Sequence, residues 1–286
     1  GNILQVNSKT VSKKHGVDLS SSCVVQKSKT IIFIRHGRSF WNYMVNDVDI
    51  TTPMRIWSTI LKEVLYITSE QSILFDSPLN QDGIQQAVDL SYKIREYKPG
   101  DDSYINSIVS VLQGVSKKSS IIMVSTLRRA METAAIGLWS RLDKTNERLH
   151  MSDYIRELSP NLDCRSLKPE NKIPDMTGSD CLQASRLMSH FERDHGYEPT
   201  KIFDGVRRKV SNSTAHEIEY LDRAVGEIFS LPQEVVILCG HSLWFRNFFR
   251  CYIGKDVEHV SKERKLHNCG VVAFQMSYGT DAAGKS

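Results

Sequence analysis

Four stretches of the chain are apolar without alternation, and between them apolar positions recur every three to four residues. Lys29 to Arg35 (KTIIFIR), Ser120 to Ser125 (SIIMVS), Glu234 to Cys239 (EVVILC) and Cys269 to Gln275 (CGVVAFQ) are short runs rich in β-branched residues. Continuous apolarity of this kind marks strands buried on both faces of a parallel sheet. A weaker strand is expected over 148–155. Helical spacing covers 54–70, where Ile56, Ile60, Leu61, Val64 and Leu65 fall on one face. It covers 82–97, 103–115, 127–142, 181–194, 213–230 and 242–253 as well. Strands alternating with helices predict an α/β fold: a doubly wound, mostly parallel sheet with helices on both faces. Ligands of such sheets sit beyond the carboxyl ends of the strands. Residues 1–28 are polar, lack sustained periodicity and read as a flexible N-terminal arm. Residues 29–286 read as a single domain. The stretch 159–180 holds Pro160, Pro169, Pro174 and Gly178 and reads as a long loop, part of a lid or specificity insertion over about 159–212.

Composition narrows the class. With 286 residues, 40% hydrophobic and 24% charged, the chain is neither wholly disordered nor fibrous. No apolar run reaches the ~18 residues that cross a bilayer. A net charge of +4 from 37 basic and 33 acidic residues is too small for a protein that coats nucleic acid, so no nucleic-acid partner is expected. The six cysteines form no C-x-x-C pair, and Cys239 and Cys269 lie in apolar runs. Free thiols and a reducing, cytoplasmic compartment are the expectation, and no secretory h-region opens the chain. Gly1-Asn2-Ile3 would suit N-myristoylation after loss of a Met, but Gln5 stands where that motif has Ser or Thr. Membrane contact is expected only if Gly1 is so modified.

Three strand ends carry similar chemistry. Strand 29–35 runs into Arg35-His36-Gly37, strand 120–125 into Ser125-Thr126-Leu127-Arg128-Arg129-Ala130, and strand 234–239 into Gly240-His241-Ser242. An Arg offers a fixed fork of donors that fits phosphate. A Gly lets backbone approach an anion closely. A His can form a covalent phosphoryl intermediate and split one displacement into two. Together these residues describe a nucleophile in a phosphate cradle. No H-E-x-x-H or comparable metal-ligand spacing occurs, so neither metal nor cofactor is expected.

Longer motifs surround these ends. Arg35-His36-Gly37-Arg38-Ser39-Phe40-Trp41-Asn42 resembles R-H-G followed by W-N. Asp76-Ser77-Pro78-Leu79-Asn80 with Gly83, Gln86 and Ala87 resembles D-x-P-L-[TN] then G-x-x-Q-A. Arg129-Ala130 with Thr133-Ala134 resembles the R-A-x-x-T-A block, and His241 with Arg246 a late histidine block. In this order, over about 29–276, they resemble the histidine phosphatase superfamily, the phosphoglycerate mutase-like proteins. The resemblance implies an α/β fold and a metal-independent phosphohydrolase acting through phosphohistidine on His36. It implies that Arg35, Arg129 and His241 clamp the phosphoryl group and that Asn42 contacts it. It implies that Glu157 is the general acid, with Asp153 as runner-up. The substrate would be a phosphorylated small molecule or a phosphopeptide. Alternatives are a phosphoglycerate mutase or a non-catalytic phospho-ligand binder on the same fold.

The departures also speak. Arg38 stands where the family often has Glu or Gln, and is expected to add positive charge to the phosphate pocket. Ser242 replaces the usual Gly and can offer its backbone N–H and hydroxyl to the phosphate. Glu157-Leu158-Ser159-Pro160-Asn161 replaces the E-R-H-Y-G of the mutases, and N-R-F-x-G-W is missing. These absences favour hydrolysis over mutase chemistry. Arg128 reads as a solvated helix residue.

Overall fold

The computed structural model describes residues 3–5, 24–46, 52–63, 72–157, 159–165, 202–205, 217–253 and 257–280. In chain order the elements are β1 (Ile3–Gln5), β2 (Val24–Arg35), α1 (Thr52–Glu63), α2 (Gln81–Glu96), α3 (Ser103–Leu112), β3 (Ser120–Ser125), α4 (Arg128–Gly137) and α5 (Trp139–Thr145). There follow β4 (Leu149–Ser152), β5 (Phe203–Asp204), α6 (Glu217–Ser230), β6 (Val235–Gly240), α7 (Ser242–Tyr252), α8 (Val260–Glu263) and β7 (Val271–Thr280). The seven strands form one sheet in the order β1-β7-β2-β6-β3-β4-β5. Every pairing is parallel except β2 with β7.

The expected α/β architecture is present. The continuous apolar runs became strands because both of their faces are covered. Ile32, Ile34, Ile122 and Val124 face a core built with α2, α3, α4 and α5. Ile31, Phe33, Val236 and Leu238 face a second core built with Leu221, Ala224 and Ile228 of α6 and the aromatic side of α7, including Trp244 and Phe245. Phe33 stacks on Phe245 with ring centroids 4.4 Å apart. Helices α2 and α3 start on side-chain caps. Asn80 accepts from the Gly83 N–H at 2.9 Å, and Asp102 from the Tyr104 and Ile105 N–H groups at 2.9 and 3.0 Å. Each cap satisfies donors that the first turn leaves without a partner.

Several boundaries differ from the pattern. β2 starts at Val24 rather than Lys29, and Ile3–Gln5 pairs with β7, so the stretch expected as an arm contributes two strand segments. Backbone pairing to β7, not apolarity, extends β2, which is why a polar lead-in gave no signal. The helix expected over 127–142 breaks at Leu138 into α4 and α5. At the break Gly137 packs on Leu90 of α2, where an added Cβ would lie 3.0 Å from Leu90 Cδ2. α1 keeps its predicted helix, but Met54, Trp57 and Leu61 are exposed among the described residues. Helix 181–194 and most of the 159–212 insertion lie outside the described residues. Among the described cysteines, Cys164, Cys239, Cys251 and Cys269 are free. Among the described residues no helix is long and apolar enough to cross a membrane.

Candidate active site

Strand order brings the three motif ends together. β2, β6 and β3 are adjacent, and the register sets Arg35 beside Gly240 and Val124 beside Cys239. His36 and His241 therefore leave neighbouring strands at the same level, and their ring centroids lie 5.0 Å apart. Arg129 enters from the first turn of α4, just beyond β3. Glu157 reaches the same place from the segment after β4. One donor atom each from His36, Glu157 and His241 lie within 4.8 Å of one another.

The geometry fixes the state of His36. Its Nδ1 lies 2.6 Å from the Gly37 carbonyl oxygen, which can only accept, so Nδ1 carries a proton. Burial, and then Arg129 and Arg35, hold its pKa well below the ordinary histidine value. At neutral pH the ring is therefore uncharged, with its lone pair on Nε2. The backbone behind it is pinned. Its N–H donates to the Gly240 carbonyl at 3.0 Å, and Asn268 Nδ2 donates to its carbonyl at 3.1 Å. The Gly37 N–H donates to Thr133 Oγ1 at 2.9 Å, and the Thr133 hydroxyl donates to the Arg129 carbonyl at 2.7 Å. The backbone next to the nucleophile candidate and the backbone of Arg129 are thus tied through one threonine.

His241 is also buried and uncharged at neutral pH, its pKa lowered well below the ordinary value by burial and then by Arg129. Its Nε2 is 2.8 Å from Ser125 Oγ, while its Nδ1 has no hydrogen-bond partner among the described residues and stands 3.7 Å from Glu157 Oε2. Arg35 donates through one terminal nitrogen to the Leu266 carbonyl, and its buried Nε has no partner among the described residues. Burial lowers its pKa, but an arginine remains a cation at any ordinary pH. Glu157 Oε1 accepts from the Leu243 N–H at 3.3 Å, so the acid candidate sits at the N-terminus of α7, where the helix dipole favours negative charge.

Arg129 has a full set of partners. Its terminal nitrogens reach Glu157 Oε2 at 3.1 Å, Asp163 Oδ2 at 3.2 Å and the Asp163 carbonyl at 2.8 Å, and Cys164 Sγ lies at 3.6 Å. Burial alone would lower its pKa, but Asp163, Cys164 and Glu157 together raise it above the ordinary value. Arg156 Nη2 donates to the Cys164 carbonyl at 2.6 Å, so two arginines hold the short turn Leu162–Cys164 over the site. Burial raises the Asp163 pKa and pushes the Cys164 thiol up to about 12. The cradle is closed: His241 and Arg129 are 0% exposed and His36 2%.

The sequence-predicted residues divide. His36, Arg35, Arg129, His241 and Glu157 converge. Ser242 is buried in the first turn of α7, directly after His241. Arg38 does not join the cluster: its guanidinium pairs with Asp82 at 2.7 Å and stands 4.9 Å from the Tyr43 ring centroid. Asn42 lies in the single π-turn Asn42–Asn46 with Oδ1 buried and without a partner among the described residues. Asp153 accepts from the Thr126 hydroxyl at 2.6 Å and braces the loop after β3.

Two sequence readings need correction. Arg128 is not solvated. It is buried, its Nε donates to the Asp76 carbonyl at 2.8 Å, and Nη2 reaches the Phe75 carbonyl at 3.0 Å and the Ser72 carbonyl. Gly37 is small to fit a neighbour rather than an anion. A Cβ there would lie 2.6 Å from the Gly83 carbonyl oxygen, and one on Gly83 would lie 2.0 Å from the Arg38 carbonyl oxygen. The glycines of the first two motifs are halves of one backbone contact.

Asp163, Cys164, Ser125, Thr133 and Asn268 were missed as site residues. Ser125 and Thr133 belong to the motif that follows strand 120–125. Asp163 stands in a polar turn without any periodic signal. The His36–Glu157–His241 and Glu157–Asp163–Cys164 groups have spacings that a metal ion could use. Arg129 is ion-paired to members of both, however, and a fixed cation there opposes a second one while favouring an anion.

No protein-family model matches the chain, and no curated protein does. Among solved structures, 97 chains match. A mycobacterial glucosyl-3-phosphoglycerate phosphatase in complex with VO3 is 16% identical with a TM-score of 0.40, covering 90% of this chain and 100% of its own. A phosphoserine phosphatase from Entamoeba histolytica in complex with 3-phosphoglyceric acid is 16% identical with a TM-score of 0.40, covering 90% and 97%. A mycobacterial hydrolase is 13% identical with a TM-score of 0.40, covering 87% and 92%.

Proposed function

We propose that the chain is a phosphohydrolase of the histidine phosphatase type. It removes a phosphoryl group from a phosphomonoester, a phosphorylated small molecule or a phosphopeptide, through a phosphohistidine on His36. The observation that carries the reading is His36 itself: an uncharged ring whose Nδ1 proton is spent on the Gly37 carbonyl, beside two buried arginines. Nε2 attacks phosphorus, and the P–O bond to the alcohol breaks with its electron pair on the leaving oxygen. Arg35, Arg129 and the Nδ1 of His241 face the charge that develops on the phosphoryl oxygens. Glu157 takes up the proton that the phosphomonoester monoanion brings in and passes it to the leaving oxygen. Water then attacks the phosphohistidine and returns a proton to Glu157, the P–N bond breaks, and inorganic phosphate leaves.

The test uses the proton. Glu157→Gln should slow phosphoenzyme formation from an alkyl phosphate by about 10²–10⁴-fold, the usual worth of a general acid. Formation from p-nitrophenyl phosphate should slow far less, because nitrophenolate leaves unprotonated. Equal losses in single-turnover measurements on the two substrates would remove Glu157 from the role.

A further inference from the structure

A cavity of about 840 Å³ lies behind the cradle, bounded by one face of α2, the end of α3 and the chain from Val260 to Val271. That volume falls in the range of small-molecule sites. Its wall backs onto the catalytic groups: the Leu266 carbonyl accepts from Arg35, and Asn268 donates to the His36 carbonyl. His36, Arg129, Glu157 and His241 do not line it. Its floor is apolar, with Leu90, Ile94, Leu112 and Val271 contributing. Exposed Lys93, Arg264 and Lys265 also line it and form no ion pair among the described residues. Among the described residues Asp89 is the one lining carboxylate, and it accepts from Gln85 at 2.9 Å.

An apolar pocket that carries three free cations against one carboxylate is complementary to a particular ligand shape. We infer that this cavity binds a single-tailed amphiphile with an anionic head group, such as the carboxylate of a fatty acid. The tail covers the floor between α2 and β7, and the head meets Lys93, Arg264 and Lys265. The lysine and arginine stems border apolar surface while their charges stay in water, which suits this division of the ligand. The inference stands apart from phosphoryl transfer, since none of the proposed catalytic groups contributes to it.

Equilibrium dialysis of the full chain tests it, first without and then with saturating inorganic phosphate to occupy the cradle. Dodecanoate should bind one per chain, dodecyltrimethylammonium at least tenfold more weakly, and butyrate not measurably. The double variant Lys93→Glu/Arg264→Glu, both at exposed positions, should weaken dodecanoate at least tenfold, and Lys265→Gln should weaken it by a smaller factor. Equal affinity for the two head-group charges would overturn the proposal. So would unchanged binding in the variants, or loss of binding when phosphate is added.

Discussion

Arg129 meets two demands at once. A phosphoryl group bound beside His36 needs the guanidinium that Asp163 and Glu157 already hold at 3.2 and 3.1 Å. The proposed mechanism gives Glu157 a proton to carry and gives Asp163 no part, so in that mechanism Asp163 would compete with the substrate for the Arg129 nitrogen that it holds. Asp163→Asn keeps the shape of the turn and removes the competing charge. It should tighten binding of inorganic phosphate on the order of tenfold, the worth of one charge-assisted contact. Titration calorimetry with phosphate reads this without relying on turnover, and unchanged or weaker binding would mean that Asp163 does not compete. The residue scale also shows what was legible. His36 and His241 could be read because each directly follows a buried apolar run, whereas only a resemblance singled out Arg129 from Arg128. Glu157 needed a resemblance to be found. Asp163 could not be read, because its place is set by Arg129 and Arg156, distant in the chain or reached through a turn without periodicity.

Elements were read well where burial made the pattern and poorly where backbone contacts did. Strand 120–125 was legible to the residue because its apolar run coincides with the segment that pairs with β6 and β4 and is mostly buried. The order β2-β6-β3, which makes the site, leaves no trace in any single strand. It is a property of pairing, and only the general rule about carboxyl ends pointed toward it. Arg128 shows the same limit on a helix. In sequence it is one of two arginines opening α4; in the fold it is the anchor of the loop 72–76, donating to three carbonyls of that loop while its own N–H donates to Asp76 Oδ1 at 2.8 Å. Arg128→Ala should therefore act on stability, lowering it by about 3 kcal/mol, since buried acceptors lose their donor. Denaturant unfolding checks this, and a loss under about 0.5 kcal/mol, the usual effect at a surface position, would return Arg128 to the solvated face.

At the scale of the whole molecule, two buried uncharged histidines must respond to acid. Both His36 and His241 have pKa values well below that of the unfolded chain, so below about pH 6.5 the unfolded state binds more protons than the folded one. Stability is complete above that pH and falls as pH drops, by about 1.4 kcal/mol per unit for each histidine. Glu132 opposes one of them. Burial raises its carboxyl to about 8, so the folded state holds a proton there that the unfolded state gives up above pH 4.5. Between about pH 5 and 5.5 the net loss should be near 1.4 kcal/mol per unit, and Glu132→Gln should roughly double that slope. Stability that is flat over this range in both proteins would show that the histidines are not buried uncharged. The central claim concerns one bond, a P–N bond on His36. Rapid acid-free quenching during turnover of a ³²P-labelled phosphomonoester should capture label that is stable to base, labile to acid and located on His36, and His36→Ala should carry none. Label that persists in His36→Ala, or turnover that continues undiminished in that variant, would contradict it.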